Sequence, residues 1–193
     1  MPRPPRRDFP GAWHHVTNRG ADHRDIFEHD ADRETFLDSL AEAVERAALE
    51  VHAYCLMSNH FHLLLRSEDG RLAEGMQYLA GRFTRMINVR VTRDGPLFRG
   101  RYASVGIESD SHLVQAVRYI HLNPVAAGMT PMPGAWRWSS AAAYLGSVGP
   151  PAWLTINYVL DLFGPRDHLA SYRDFMRAGT DSATSDFYAK LGW

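Results

Sequence analysis

Two histidines one residue apart, His60 and His62, sit in the run His60-Phe61-His62-Leu63-Leu64-Leu65. Alternate side chains of a strand share a face, so both imidazoles point the same way, roughly 6.6 Å apart along the backbone, and both can reach one metal ion. Phe61, Leu63 and Leu65 then point to the opposite side and form core. The same spacing also fits two ordinary polar residues on an exposed strand face, so the surroundings must decide. A second pattern lies between Asp110 and Pro124. Gln115, Tyr119 and Asn123 recur at every fourth position and form a polar stripe on a helix, while Leu113, Val117 and Ile120 form an apolar stripe on another side. Tyr119 is thus one turn before Asn123, both directed away from the main core face. A half-buried surface tyrosine and an asparagine competing for a helix end would look the same.

A third feature is charge. Between residues 82 and 101 stand Arg82, Arg85, Arg90, Arg93, Arg99 and Arg101 against one acid, Asp94, a local net of +5. Phe98 and Tyr102 are interleaved with them. Arginine with aromatics suits phosphate contacts plus stacking on unpaired bases; a solvated helix face with a basic loop is the ordinary alternative. Arg3, Arg6 and Arg7 make a second basic cluster, in an N-terminal arm that is either a base reader or idle. Zinc is a poor fit to the histidines. Cys55 is the sole cysteine and lies an odd number of residues from each histidine, which on one continuous strand would turn it to the other face. His14, His15, His23 and His52 read as structural or surface residues.

The elements that must position these residues follow from pattern. Ala12–Arg19 has strand composition and is closed by Gly20. Asp30–Ala48 has the helical period, with Asp30 or Asp32 available to cap it. Val51–Met57 and His60–Leu65 are strand-like runs joined by Ser58-Asn59, a tight hairpin. Leu72–Val91 is helix-like, Asp94-Gly95-Pro96 is a turn, Leu97–Ile107 reads as a strand, and the helix from Asp110 should stop before Pro124. A central hairpin among helices implies an α+β fold, a mostly antiparallel sheet with helices packed on it. The Pro/Gly-rich stretch Ala127–Gly134 leads to Trp136–Leu145. There Ser139 is a candidate helix cap; beyond the Gly-Pro-Pro at 149–151 lie two short helical runs. This divides the chain into a basic arm (1–11), a core domain (12–146) and a helical C-terminal extension (147–193).

Composition narrows the class. The chain has 193 residues, 45% of them hydrophobic, with 21 Lys+Arg against 22 Asp+Glu and a net charge of -1. That excludes a disordered, highly charged tail protein, and one cysteine excludes a disulfide framework. No run approaches a membrane span and Met1–Arg7 does not open a secretory signal, so a cytoplasmic, nucleoid-associated location is expected. The overall charge is misleading about nucleic acid: with +5 in residues 82–101, the remainder sums to -6.

The motifs Tyr54-Cys-Leu-Met-Ser-Asn-His60-Phe-His62-Leu-Leu-Leu, Gly95-Pro-Leu-Phe-Arg-Gly-Arg-Tyr102 and Arg118-Tyr-Ile-His-Leu-Asn-Pro-Val125, in this order, resemble the REP-associated tyrosine transposases of the IS200-like Y1 group of HUH single-strand nucleases. The resemblance covers about residues 9–146. It implies a ferredoxin-like HUH core. It also implies that His60 and His62, with Asn123 as third ligand, hold a divalent Mg²⁺ or Mn²⁺, and that Tyr119 attacks the scissile phosphate of single-stranded or hairpin DNA to give a 5′-phosphotyrosine. Arg82, Arg85, Arg93, Arg99, Arg101, Tyr102 and the arm arginines become candidate DNA contacts. Asn123 stands where the wider group has glutamine, as in the REP-associated branch, and Ala126 stands where the family commonly has arginine. Relatives occur as monomers or homodimers. The rival readings are a domesticated hairpin-binding protein without cleavage and a small-molecule metallohydrolase, which leaves the arginines unexplained.

Overall fold

In the computed structural model, residues 8–179 together with Ser185, Asp186 and Tyr188 are described; the arm residues Arg3, Arg6 and Arg7 lie outside them. Four strands, β1 (Ala12–Arg19), β2 (Leu49–Leu56), β3 (His60–Ser67) and β4 (Ala103–Ile107), form one antiparallel sheet in the order β2-β3-β1-β4. The helices are α1 (Asp30–Ala47), α2 (Leu72–Arg90), α3 (Asp110–Ala126), the short α4 (Ala141–Tyr144) and α5 (Asn157–Asp161), and α6 (His168–Arg177). The expected α+β architecture is therefore present.

Strand alternation sorts the sheet into two faces. One carries Phe61 of β3 against Phe36 of α1 (ring centroids 4.8 Å apart), and Phe36 meets Phe83 of α2 at 5.2 Å. These rings are fully buried and interlock edge to face or tilted, which adds about 0.5–1.5 kcal/mol per pair beyond the area they bury. Gly75 lets α2 approach: a Cβ there would lie 2.5 Å from Leu49 Cδ1 and 3.0 Å from Ala47 Cβ. The other face carries His15, Thr17, His60 and His62, and α3 with the C-terminal segments packs over it.

The C-terminal part is continuous with this core. Leu56 N donates to Trp138 O, and Ser140 N to Tyr54 O, along the outer edge of β2. Leu154 bridges Val51, and Tyr172 of α6 is fully buried in the same hydrophobic cluster. The edge strand is thus covered rather than left to pair with another chain. Ser139 Oγ accepts from Ala141 N at 3.2 Å, at the start of α4.

Two expected boundaries shift. The strand predicted over Leu97–Ile107 is only Ala103–Ile107. Phe98 makes a single bridge to Gly20, and the Arg99-Gly100-Arg101 segment, which has no apolar alternation to hold it on the sheet, loops outward. Pro124 does not stop α3, which continues to Ala126. Its missing N–H removes one bond in the last turn only, and Ala127 N to Asn123 O and Gly128 N to Val125 O close the end.

The start of α1 supplies a stability prediction. Asp32 is 1% exposed and accepts from His29 N (2.8 Å) and Glu28 N (2.9 Å), with an ion pair to Arg90 of α2. Burial pushes its carboxyl pKa up, but the Arg90 bond and the two backbone donors outweigh it, and the result lies below the ordinary 3.8. A depressed carboxylate pKa means that the stabilisation is complete at neutral pH and is lost as pH falls below 3.8 through the folded-state value. Asp32→Asn should cost about 1–3 kcal/mol at pH 7, and the difference from the parent should shrink in acid. Urea midpoints at pH 7 and pH 3 check this; equal differences at both would contradict it.

Candidate active site

β1 and β3 are the central strands, and their register fixes the site. Thr17 is opposite His62 and Arg19 is opposite His60. His62 is 1% exposed, His60 is half-buried at the strand's mouth, and their rings lie 5.0 Å apart at 87°. His15, on the same face, hydrogen-bonds His62 between Nε2 and Nδ1 at 3.0 Å. His60 Nδ1 is 2.7 Å from Asn59 Oδ1. Because Asn59 Nδ2 donates to His23 O (3.2 Å), Oδ1 is the accepting end of that amide, so His60 Nδ1 carries its proton and Nε2 keeps the lone pair. Burial, helped by Arg19, pulls the His60 pKa down to about 4. Burial also lowers His62 well below its ordinary value, with His15 and His60 adding to the effect. Both imidazoles are therefore neutral at pH 7, the form that binds a metal.

α3 brings the hydroxyl. Ser109 caps it by accepting from His112 N at 3.2 Å. The stripe read from sequence as pointing away from the core in fact meets the second face of the sheet. The Tyr119 ring stands 5.6 Å from His62 at 89° and 5.9 Å from His15. Tyr188 lies nearly parallel to Tyr119, centroids 4.0 Å apart. Burial raises the Tyr119 pKa above 10, and a hydrogen bond with the Asn123 side chain works in the opposite direction. Asn123 Nδ2 also donates to Tyr119 O at 3.1 Å.

The helix is pinned by a buried network. His121 contacts Tyr172 Oη through Nδ1 (2.5 Å) and Ser140 Oγ through Nε2 (2.6 Å). Ser140 Oγ accepts from Tyr54 N and donates to Tyr54 O, so His121 Nε2–H donates to it and Nδ1 accepts from the Tyr172 hydroxyl. Burial holds the His121 pKa to about 3, so the ring stays neutral. β2, α6 and the segment before α4 thereby set the register of the helix that carries Tyr119 and Asn123.

Among the described residues no three His, Cys, Asp or Glu side chains are grouped to hold a metal ion. The two neutral imidazoles share one face of the sheet, and Asn123 stands one helical turn beyond Tyr119; imidazole nitrogens with an amide oxygen are donors that would suit a divalent ion with coordination positions left over. Cys55 lies opposite His62 in the strand register, not on the other face as one continuous strand would put it, and its thiol contacts Met57 Sδ at 3.6 Å. Burial pushes that thiol well above its usual range, against smaller opposing effects of a Ser139 hydrogen bond and Arg33.

The basic segment resolves into two groups. Arg82 is held by Glu42 (2.7 Å) and Arg90 by Asp32, so both tie α2 to α1. Arg85, Arg99 and Arg101 are exposed, with no carboxylate partner among the described residues; Arg93 leans on Asn88 Oδ1 at 3.3 Å. Arg85 and Arg93 line a groove of about 900 Å³ between the end of α2 and residues 93–100. Tyr102 and Phe98, expected as stacking platforms, are buried at 8% and 7% exposure because the core takes their rings.

The sequence profile described as "Transposase IS200 like" matches residues 10–123, from the start of β1 to Asn123. The chain belongs to the IS200-like transposases. Among IS200-like relatives it is 27% identical over 116 residues to a Haemophilus influenzae protein named as a REP-associated tyrosine transposase, covering 54% of this chain and 66% of that one, just under two thirds of its length. It is also similar to the solved structure of a REP-associated tyrosine transposase bound to a REP hairpin, with a TM-score of 0.66 at 15% identity over 80% of this chain and 92% of that one. At that identity the likeness establishes the fold. The matched residues include two to which the sequence gives no special role, His15, read as structural or surface, and Arg19, read as a strand-end polar residue. Their signal was period two along β1, but it becomes visible only once β1 is known to pair with β3 in this register.

Proposed function

We propose that this chain is a metal-dependent single-stranded DNA endonuclease and strand transferase. It recognises hairpin DNA of the REP type and cuts it through a 5′-phosphotyrosine on Tyr119. The observation that carries the reading is the convergence of Tyr119 with His62 and His60 on one face of the sheet. The whole activity and its substrate are inferred for this chain. The family match, the hairpin-bound fold relative and the groove beside Arg85 and Arg93 all point toward DNA.

His60 and His62, with Asn123, would hold Mg²⁺ or Mn²⁺, which when bound supplies Lewis-acid polarisation of the phosphate. The chain's own residues do the rest. Tyr119 Oη attacks phosphorus, the P–O3′ bond breaks, and the proton that Tyr119 gives up is balanced by one taken up at the departing 3′-oxygen. The phosphotyrosine conserves the bond energy, so a 3′-hydroxyl can rejoin the strand without ATP. Asn123 holds the tyrosine hydroxyl in place and opposes the rise that burial causes in its pKa. His15 fixes the His62 ring by its Nε2–Nδ1 bond, and the His121 network fixes the helix. Arg85, Arg93, Arg99 and Arg101 meet backbone phosphates.

A second reading, hairpin binding without cutting, is favoured by one observation: the Tyr188 ring covers one face of Tyr119. Chelation separates the two. With a labelled hairpin oligonucleotide and Mn²⁺, the strand-transferase reading expects a shortened strand and protein-linked DNA, both abolished by EDTA. A gel shift that survives EDTA, with no cut product under Mg²⁺ or Mn²⁺, would leave binding alone.

A further inference from the structure

We propose that Arg19 is a further catalytic residue of this site, its guanidinium gripping a non-bridging oxygen of the scissile phosphodiester beside His60. The inference rests on the strand-transfer reading. Its grounds are placement, rigidity and charge.

Arg19 is the last residue of β1 and lies directly opposite His60. Directly opposed residues of an antiparallel pair project to the same face, so Arg19 shares the face of His15, Thr17, His60, His62 and Tyr119. Its backbone is pinned on each side. Asn18 Oδ1 accepts from Arg19 N (2.9 Å), Arg19 O accepts from Arg99 N (2.9 Å), and Gly20 N donates to Asn59 O (2.8 Å). Gly20 is required for this turn, because a Cβ there would sit 2.1 Å from Arg24 O. A side chain launched from so constrained a position needs little reorganisation to meet its target.

Arg19 is half-buried as a residue, and its guanidinium makes no hydrogen bond or ion pair among the described residues. Several other arginines are otherwise employed: Arg24 donates to Pro96 O, Arg82 and Arg90 are held by carboxylates, and Arg93 donates to Asn88. Arg66, on the same sheet face at the far end of β3, is taken by Glu50 and Glu68. Arg19 is thus a half-buried cation placed beside the neutral His60 imidazole, with five donors and no acceptor for them among the described residues. A phosphodiester brings one negative charge to the site. As the Tyr119 oxygen bonds to phosphorus and the 3′-oxygen departs, negative charge grows on the non-bridging oxygens. An arginine fork stabilises that growth without changing its own protonation.

The test is a coupling cycle in binding, run in the Tyr119→Phe protein so that DNA stays intact. Hairpin oligonucleotides carry one neutral methylphosphonate at a time along the unpaired flank. With Arg19 present, the methylphosphonate at the linkage cut by the wild type should weaken binding about tenfold; with Arg19→Gln the penalty there should fall below about twofold, the other linkages keeping theirs. Arg19→Lys should retain part of the penalty, and it serves as the reading if the glutamine variant is unstable. In the Tyr119-containing protein, Arg19→Gln should slow cleavage of normal DNA on the order of 10²–10³-fold. An unchanged methylphosphonate penalty in both Arg19 variants would overturn the proposal. Coupling at a linkage that the wild type never cuts would reduce Arg19 to a binding contact and leave the strand-transfer reading standing, whereas a wild type that cuts no linkage would retire that reading.

Discussion

Tyr119→Phe should abolish the protein–DNA adduct and reduce strand cleavage on the order of 10⁴-fold or more, while hairpin affinity changes by no more than about twofold. The asymmetry follows from what the substitution removes. The phenyl ring keeps the stack on Tyr188 at 4.0 Å and the edge contacts with His62 and His15, so the surface presented to DNA and the packing of α3 are preserved. Only the hydroxyl and its bond with Asn123 go, and with them the atom that attacks phosphorus. Denaturing gels read the adduct and gel shifts read the affinity. A variant that still cuts near the parental rate would place the nucleophile elsewhere.

His62→Ala should lower cleavage by about 10²–10³-fold and move the Mn²⁺ concentration needed for half-maximal rate upward by at least tenfold. His62 is central to the donor set: it is buried, its Nδ1 shares the orienting bond with His15 Nε2, and it forms the wall against which Tyr119 stands. Its removal also leaves His15 Nε2 without that partner, at a stability cost of about 1–3 kcal/mol. His60→Ala, at the half-buried mouth, should weaken Mn²⁺ binding with little loss of stability, and His15→Ala should fall between wild type and His62→Ala. Mn²⁺ binding followed by electron paramagnetic resonance gives a readout independent of cleavage. Unchanged Mn²⁺ affinity in both His60→Ala and His62→Ala would remove the metal from these residues.

Much of this site is local, and local features are legible in sequence. His60 and His62 share a face because strands have period two, and Phe61 packs on Phe36 on the other side for the same reason. Tyr119 and Asn123 share a helix face by four-residue spacing. What is non-local could not be read. The approach of α3 to the sheet turns an apparently outward stripe inward onto His62. Arg82 and Arg90 look free in sequence because their acids, Glu42 and Asp32, lie in another helix. Arg19 and His15 gain meaning only through the β1–β3 register. Tyr102 reads as an aromatic interleaved with arginines and free to stack, but while Arg99-Gly100-Arg101 loops outward its ring is buried in the core. The proline rule failed at Pro124 because a proline in the last turn sacrifices one bond, not a ladder.

The most direct measurement is the site of covalent attachment. The protein is incubated with a hairpin oligonucleotide and Mn²⁺, digested with protease and nuclease, and the modified peptide is sequenced by mass spectrometry. The geometry predicts one nucleotide-bearing peptide, with the 5′-phosphate of the cut strand esterified to Tyr119. Attachment to another side chain, or a cut strand with a free 5′-phosphate and no modified peptide at any time point, would contradict Tyr119 as the nucleophile.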